Sequence, residues 1–139
     1  NLQEAVLEAI RQNLIASAHD LSQGGLAQAL LTSCKGELGV HVDWESGIRD
    51  DLALFSESQS RILLSTVPQN LLMLEKLMQR RKIPFERVGV VMPGRFDIAL
   101  NGKFLIQEEL PELQQLWENA LENIMKSEHQ GFSGEKQVA

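Results

Sequence analysis

Apolar residues recur at helical spacing in four stretches of the chain. In the first stretch Leu2, Val6 and Ile10 lie four residues apart, so one face of a helix is apolar, and Asn1 is placed to cap it. Pro68 stands at the start of another stretch, where a proline is tolerated in the first helical turn. The spacing predicts helices over residues 2–15, 26–35, 69–81 and 110–124.

Other stretches follow the pattern of β-strands. Residues 38–44 alternate apolar and polar side chains, which predicts a strand with one buried face. The run at 62–67 is almost continuously apolar and predicts a central strand covered on both faces. Asn101-Gly102 is a strong signal for a two-residue hairpin. The remaining strands are predicted over residues 85–91, 95–100 and 103–106.

Together these elements predict one α/β (α+β) domain. Helices precede and separate the strands, so we expect helices layered on a mixed, largely antiparallel sheet. Residues 45–58 are polar and irregular, with room for a single helical turn at 50–54. No internal linker or repeat appears in the 139 residues, and the periodic pattern ends near Lys126. The sequence therefore predicts a domain at residues 1–125 and a disordered tail at 126–139.

Composition argues against several classes of function. The formal net charge is −6 and the basic residues are dispersed, so no nucleic-acid partner is expected. No apolar run reaches the length of a membrane span and the amino end lacks a signal-peptide pattern, which predicts a soluble, cytoplasmic protein with no membrane partner. The single cysteine, Cys34, is interpreted as a small buried hydrophobe. The three histidines lack metal-ligand spacing, so no metal site is predicted.

A polar turn with paired glycines precedes the second helix. Ser22, Gly24 and Gly25 stand where unpaired backbone N–H groups and a partial positive charge meet an approaching anion. Glycine lets a phosphate approach the backbone closely, so these residues form a candidate anion turn. A structural helix start remains the alternative. Asp20 would repel a phosphate, so we assign Asp20, with His19, to bracing the loop.

A second polar cluster lies at the entrance of the strand at 62–67. Glu57, Ser58, Gln59 and Arg61 place a carboxylate, a hydroxyl, an amide and a guanidinium within five residues. Such a group can recognise a polar ligand through several directed hydrogen bonds. The alternative is a solvated loop in which Glu57 or Arg61 pairs with its neighbours, and we assign Arg61 to bracing the loop. Neither cluster specifies a reaction.

No catalytic constellation is recognisable in the sequence. The chain has no nucleophile elbow, no Walker loop and no dinucleotide-binding glycine fingerprint. Asp50-Asp51 precedes an apolar residue and is interpreted as an exposed acidic pair, not as a magnesium site. We therefore predict a ligand-binding half-site without catalytic residues.

Three strings do resemble a known family. The residues at 17–27 (SAHDLSQGGLA), 54–61 (LFSESQSR) and 84–89 (PFERVG) closely resemble the C-terminal domain of the phosphoribosylformylglycinamidine synthase family. This family belongs to the aminoimidazole ribonucleotide synthetase superfamily, whose C-terminal domain supplies the expected fold. The glycine turn is shared across the superfamily, whereas the string at 55–61 is much more specific to the synthase.

The resemblance implies a ligase of purine biosynthesis. The full-length enzyme would use ATP, Mg²⁺ and glutamine-derived ammonia to convert formylglycinamide ribonucleotide to the amidine. In the family's first copy of this domain the Glu-Ser-Gln element contacts the ribonucleotide, and the matching positions here are Glu57, Ser58 and Gln59. The motifs that bind ATP and metal belong mainly to other domains, so ATP and Mg²⁺ are expected outside this chain and the isolated chain is expected to be inactive.

The resemblance also implies partners. The end of the last predicted helix and the tail favour the second, C-terminal copy of the domain, packed against the remaining domains of the same synthase. Because no glutaminase sequence follows Ile124, a separate glutaminase subunit and a small bridging subunit are expected to supply ammonia. This expectation assumes that Ala139 is close to the natural end.

Two alternatives stay open at this point. The chain could belong to another superfamily member, such as selenophosphate synthetase or a hydrogenase maturation protein, although the absence of the Glu-Ser-Gln string from those relatives argues against it. It could also be an interaction domain without a ligand. Exposed apolar surface on the first or last helix would fit both an interaction domain and a part of a larger enzyme.

Overall fold

A computed structural model describes residues 1–120 and 122 of the chain. The predicted tail at 126–139 and the end of the last predicted helix lie outside the described residues. The elements follow in the order α1 (Leu2–Arg11), β1 (Ser17–Asp20), α2 (Gly25–Ser33), β2 (Leu38–Trp44), α3 (Asp50–Phe55), β3 (Ile62–Ser65), α4 (Pro68–Arg80), β4 (Gly89–Pro93), β5 (Arg95–Leu100), β6 (Lys103–Glu109) and α5 (Leu110–Glu118).

The main sheet has four strands in the order β4-β2-β5-β6. Strands β2 and β5 are parallel, whereas β4 pairs with β2 and β6 pairs with β5 in antiparallel register. The fold is therefore an α/β domain with a mixed, largely antiparallel sheet, and this prediction is confirmed. The hairpin prediction is also confirmed, because Asn101 and Gly102 both have positive φ, 51° and 76°, as a two-residue turn of this kind requires.

One face of this sheet forms the larger core. Val42, Ile98 and Leu100 point to the same side, since side chains alternate along a strand, and each is at most 1% exposed. Leu30 of α2 and Leu110 of α5 belong to the same buried cluster. The other face of the sheet contributes no residue to either buried cluster of the described chain.

The prediction for residues 62–67 was wrong about the position of the strand. Strand β3 belongs to a separate two-stranded sheet. Within the described part of the chain it pairs only with β1, over residues that the sequence had suggested to belong to the polar turn before the second helix. The continuous apolar run has a different explanation. Leu63 packs against the larger core and Leu64 against a second, smaller core, so the two faces of β3 are covered by different helices.

The smaller core lies between α1 and α4. Ala5 and Ala9 are fully buried there against Leu74, Leu77 and Met78. The predicted stripe on α1 is therefore only partly correct, because small alanines make the close helix contact while Ile10 is 49% exposed. The predicted cap is confirmed, since the Asn1 side chain accepts from the Glu4 backbone N–H at 3.2 Å.

Other differences concern where elements begin and end. Helix α1 ends at Arg11, and Asn13 follows with a φ of 54°. The strand predicted at 85–91 begins only at Gly89. A Cβ on Gly89 would lie 2.3 Å from the His41 carbonyl oxygen, so only glycine fits at this position. The predicted helical turn at 50–54 is confirmed as α3, and Pro68 opens α4 as predicted. None of the helices within the described residues combines the length and the apolar character needed to cross a membrane.

Candidate functional site

The candidate site begins where β1 leads into α2. Gly24 is the residue before the helix and adopts a left-handed φ of 75°, and Gly25 follows with a φ of 61°. The Gly25 N–H donates to the Ser22 carbonyl oxygen at 3.2 Å, which closes the turn. Two consecutive left-handed residues are costly for any residue other than glycine. The backbone conformation of the turn therefore favours glycine at both positions, whether or not a ligand binds.

Gly25 has a second reason to lack a side chain. A Cβ on this residue would lie 2.7 Å from the Leu54 carbonyl oxygen and 2.7 Å from the Phe55 carbonyl carbon. The end of α3 is therefore in backbone contact with the start of α2. Because Ser56 follows α3 directly, this contact places the polar cluster at 57–61 close to the glycine turn.

A hydrogen bond joins the two polar clusters that the sequence singled out. Glu57 Oε1 accepts from the Gly24 backbone N–H at 3.0 Å, across 33 residues of sequence. No side chain at the capping position of α2 satisfies its free N–H groups, and its first turn contains no acidic residue. The Glu57 carboxylate therefore supplies the negative charge that the N-terminus of α2 favours.

This contact changes the chemistry of the predicted anion turn. The turn formed by Ser22, Gly24 and Gly25 is present, but one of its N–H groups already binds a carboxylate of the same chain. A phosphate at this position would meet the negative charge of Glu57 at short range. An external anion at the Gly24 N–H would have to displace the Glu57 side chain.

Arg61 closes the segment that carries Glu57. Its guanidinium Nη1 donates to Ser56 Oγ at 3.0 Å, and its carbonyl oxygen accepts from the Leu21 N–H at 3.0 Å. Ser60, the residue before Arg61, has a φ of 63°. The segment is thus tied at both ends, to the end of α3 and to the residue that follows β1.

His19 connects β1 to α2. Its Nδ1 lies 2.6 Å from the Asp20 carbonyl oxygen, and its Nε2 lies 3.0 Å from Thr32 Oγ1. Because a carbonyl oxygen only accepts, Nδ1 donates the bond to Asp20, and the Thr32 hydroxyl that lies beside Nε2 also lies 2.9 Å from the Gln28 carbonyl oxygen, to which it donates. The side chain of Asp20 is exposed and makes no contact with the glycine turn among the described hydrogen bonds.

Three polar side chains at this junction stay available. Ser22, Ser58 and Gln59 are exposed, and their side chains take part in none of the hydrogen bonds found among residues 1–120. A hydroxyl and an amide offer both donors and acceptors to a polar ligand. The arrangement can therefore bind a polar group, but within the described residues no three potential metal ligands come together.

The groups with perturbed titration lie away from this junction. Hydrogen bonding from Arg81 holds the pKa of Glu8 below its usual value, and Arg49 does the same for the pKa of Asp51. Burial raises the pKa of the Cys34 thiol, in agreement with its interpretation as a buried hydrophobe. These groups do not form the paired acid and base side chains that general acid–base catalysis requires.

Sequence reasoning missed two contributors to the site. Thr32, which binds His19, lies in a helix at a position with no distinguishing pattern. The backbone of Leu54 and Phe55 defines the space at Gly25, and backbone contacts leave no signature in residue types. The paired glycines were the only available signal of that close approach.

Comparison with known proteins agrees with this description. Residues 1–100 match the family described as "AIR synthase related protein, C-terminal domain". A relative named phosphoribosylformylglycinamidine synthase subunit PurL, from Alkaliphilus metalliredigens, is 37% identical over 127 residues. That match covers 91% of this chain and 17% of the relative, so this chain spans about a sixth of the relative's length.

Solved structures show the same fold. Thermotoga maritima PurL complexed with ATP aligns with a TM-score of 0.69 at 26% identity, over 79% of this chain and 20% of that one. The PurLQS structure from Thermotoga maritima aligns with a TM-score of 0.70 at 25% identity, over 78% and 20%. The resemblance inferred from the three sequence strings is thus confirmed. By fold and by sequence, this chain belongs to the family of AIR synthase-related C-terminal domains.

Proposed function

We propose that this chain is the C-terminal domain of a phosphoribosylformylglycinamidine synthase. The observation that carries the proposal is the junction of Glu57 with Gly24, which places Ser58 and Gln59 beside the start of α2. The identity of 37% to a synthase subunit supports the assignment, since the match covers nearly the whole chain. The alternatives of a selenophosphate synthetase or a hydrogenase maturation protein have no such support.

In this proposal the full-length enzyme performs the chemistry. It converts formylglycinamide ribonucleotide, ATP and glutamine-derived ammonia to formylglycinamidine ribonucleotide in purine biosynthesis. The described residues do not fit a Mg²⁺ site, because the carboxylate at the glycine turn stands alone. We therefore expect ATP and Mg²⁺ to be bound mainly by other domains, and the isolated chain to have no activity.

The role proposed for this domain is one wall of a pocket for the ribonucleotide or a nucleotide. Ser58 and Gln59 would donate and accept hydrogen bonds to the ligand's polar groups. Glu57 positions them through its bond to Gly24. The turn of Ser22, Gly24 and Gly25 would face a phosphate only in a state in which Glu57 is displaced.

The second proposed role is packing against the rest of the enzyme. Leu7 and Ile10 of α1, and Leu116 and Trp117 of α5, are large apolar side chains that are 44–61% exposed. Such surface is expected where neighbouring domains of the same polypeptide cover it. The PurLQS structure from Thermotoga maritima is consistent with further partners, and we propose a separate glutaminase and a small bridging subunit, all in the cytoplasm.

A chimeric synthase tests the proposed function. This chain would replace the matching 127 residues of the Alkaliphilus metalliredigens relative, and formation of the amidine would be measured with ammonia as the nitrogen source. We expect activity in the chimera and a higher KM for the ribonucleotide in its Gln59→Ala variant. Gln69→Ala, on an exposed position of α4, is the matched control.

Three results separate the parts of this proposal. A folded chimera without activity would contradict the assignment to the synthase. An active chimera in which Gln59→Ala and Ser58→Ala leave KM unchanged would contradict only the pocket role. Turnover by the isolated chain would contradict the claim that its chemistry depends on other domains.

A further inference from the structure

Ser60 has a backbone conformation that its residue type disfavours. Its φ of 63° lies in the left-handed region, which glycine adopts freely, asparagine tolerates and most other residues adopt at a cost. Among the residues that the structure describes, three others with a side chain share a positive φ: Asn13, Lys82 and Asn101. The conformation is therefore rare enough in this chain to need a cause.

The other three conformations follow from local structure. Asn13 comes at the end of α1, and the residue after it donates its N–H to the Ala9 carbonyl oxygen at 2.9 Å. Lys82 comes at the end of α4, where the next N–H donates to the Met78 carbonyl oxygen at the same distance. Both are common left-handed helix ends, and Asn101 belongs to the two-residue hairpin. The stretch between α3 and β3 has neither of these local causes.

Contacts on both sides of Ser60 supply the cause instead. Glu57 Oε1 accepts from the Gly24 N–H at 3.0 Å, and the Arg61 carbonyl oxygen accepts from the Leu21 N–H at 3.0 Å. Both donors lie in the short connection between β1 and α2, so two positions four residues apart must reach the same neighbouring stretch. The left-handed residue turns the chain between these two anchors.

The side chain of Ser60 has no part in this arrangement. The residue is exposed, and its hydroxyl takes part in none of the hydrogen bonds found in the described part of the chain. What the position contributes is its backbone conformation. Serine also allows fewer alternative turns than glycine would, so it restricts the segment more tightly.

We propose that Ser60 is a positioning residue of the junction. Its left-handed conformation keeps the Glu57 carboxylate on the Gly24 N–H. The exposed side chains of Ser58 and Gln59 are thereby held beside the start of α2 before a ligand arrives, which lowers the entropy lost on binding. Strain of this kind persists where surrounding contacts impose it, and it is common at ligand sites. The benefit to a ligand rests on the proposed function, whereas the hold on Glu57 does not.

Two variants separate the backbone of Ser60 from its hydroxyl. Ser60→Asn removes the hydroxyl but introduces a residue that tolerates the left-handed region. Ser60→Thr keeps the hydroxyl but adds a β-branch, which disfavours that region. Lys82→Thr is the matched control, because Lys82 has a similar φ of 55° at the end of α4, outside the junction.

Amide hydrogen exchange of the 139-residue chain tests the hold on Glu57. Ser60→Thr should accelerate exchange at Gly24 about fivefold relative to exchange at Ile98, which is fully buried in the core of the main sheet. Ser60→Asn and Lys82→Thr should leave this ratio unchanged, since neither opens the junction. The inference is overturned if Ser60→Thr leaves the ratio unchanged, or if Ser60→Asn accelerates exchange at Gly24 as much as Ser60→Thr does.

Kinetics of the chimeric synthase test the benefit to the ligand. Ser60→Thr should raise KM for the ribonucleotide about fivefold and leave KM for ATP unchanged, and Ser60→Asn should restore the original values. A merely structural loss of folded enzyme, as in Lys82→Thr, would lower kcat and leave KM unchanged. Equal KM values in all variants would overturn the ligand part of the inference. An inactive chimera would contradict the proposed function, and the exchange ratio would still decide whether Ser60 holds Glu57 in place.

Discussion

The glycine-turn junction and the α1–α4 pair are held together in different ways. At the junction the backbones of Gly25, Leu54 and Phe55 touch, and a single carboxylate bond from Glu57 is added. Between α1 and α4, buried side chains fill the contact, and the two arginines at the end of α4 bind Glu8. Where backbones make the contact, the polar side chains nearby stay free to bind a ligand. Where side chains make the contact, they are no longer available for one. This difference favours the junction as the functional region.

The largest effect is expected from closing the space at Gly25. Gly25→Ala combines a left-handed φ with a Cβ 2.7 Å from two backbone atoms, so it should destabilise the fold by about 4 kcal/mol. Urea unfolding would measure this loss. Gly47→Ala, where nothing lies within 4 Å of the added Cβ, should change stability little. Equal effects of the two substitutions would mean that the α2–α3 contact is looser than described.

Truncating a side chain in the α1–α4 contact should lower the free energy of unfolding slightly less than Gly25→Ala does. Leu77 is 3% exposed, so Leu77→Ala should destabilise the chain by about 3 kcal/mol through lost burial and a cavity. Leu72→Ala, exposed on the same helix, is the control. Amide exchange at Gly24 sharpens the comparison, because Gly25→Ala should accelerate it relative to the global unfolding rate and Leu77→Ala should not.

Removing the carboxylate at the junction should have a modest effect on stability. Glu57→Ala eliminates the acceptor for the Gly24 N–H and should cost about 1 kcal/mol, as loss of a helix cap does. Glu57→Gln keeps an oxygen acceptor and should cost less. Urea unfolding would rank the two variants against Glu45→Ala, an exposed glutamate that makes no hydrogen bond among the described residues. A loss as large as that of Gly25→Ala would contradict the view that backbone contact dominates.

The smallest effect is expected at Glu8 and depends on pH. Hydrogen bonding from Arg81 lowers the pKa of Glu8 in the folded chain from its usual 4.5. A lowered folded pKa contributes stability above the unfolded pKa, and that contribution is lost as pH falls through the folded value. Glu8→Gln should thus be less stable than the unmodified chain near pH 7, and the two should converge as the pH falls below 4.5 and through the lowered pKa of folded Glu8. Thermal unfolding across this range measures the difference, with Glu108→Gln as control.

Much of this architecture was accessible from sequence because it depends on local patterns. Alternation at 38–44 and 95–100, the Asn101-Gly102 turn and the proline at the start of α4 all act within a few residues. The pairing of β1 with β3 was not accessible, since it joins segments more than forty residues apart and β1 contains an ordinary polar sequence.

The candidate site was only half accessible for the same reason. The two polar clusters were recognised separately, each from its own residues. Nothing in either cluster indicates that the Glu57 carboxylate reaches the Gly24 N–H, because that contact follows from how α3 ends against Gly25. The glycine turn was predicted to bind an external anion. A single sequence cannot show whether such a turn binds an external anion or a carboxylate of the same chain.

Strand β2 has a consequence for how the domain is synthesised. It is hydrogen-bonded on one side to β4 and on the other to β5, and both lie far downstream in the chain. A ribosome therefore releases β2 well before either neighbour exists, and its backbone groups stay in water during that interval. Contacts between distant segments slow folding. We expect the main sheet to assemble in one late step, after β5 has emerged, with α1 and α2 waiting as partly formed helices.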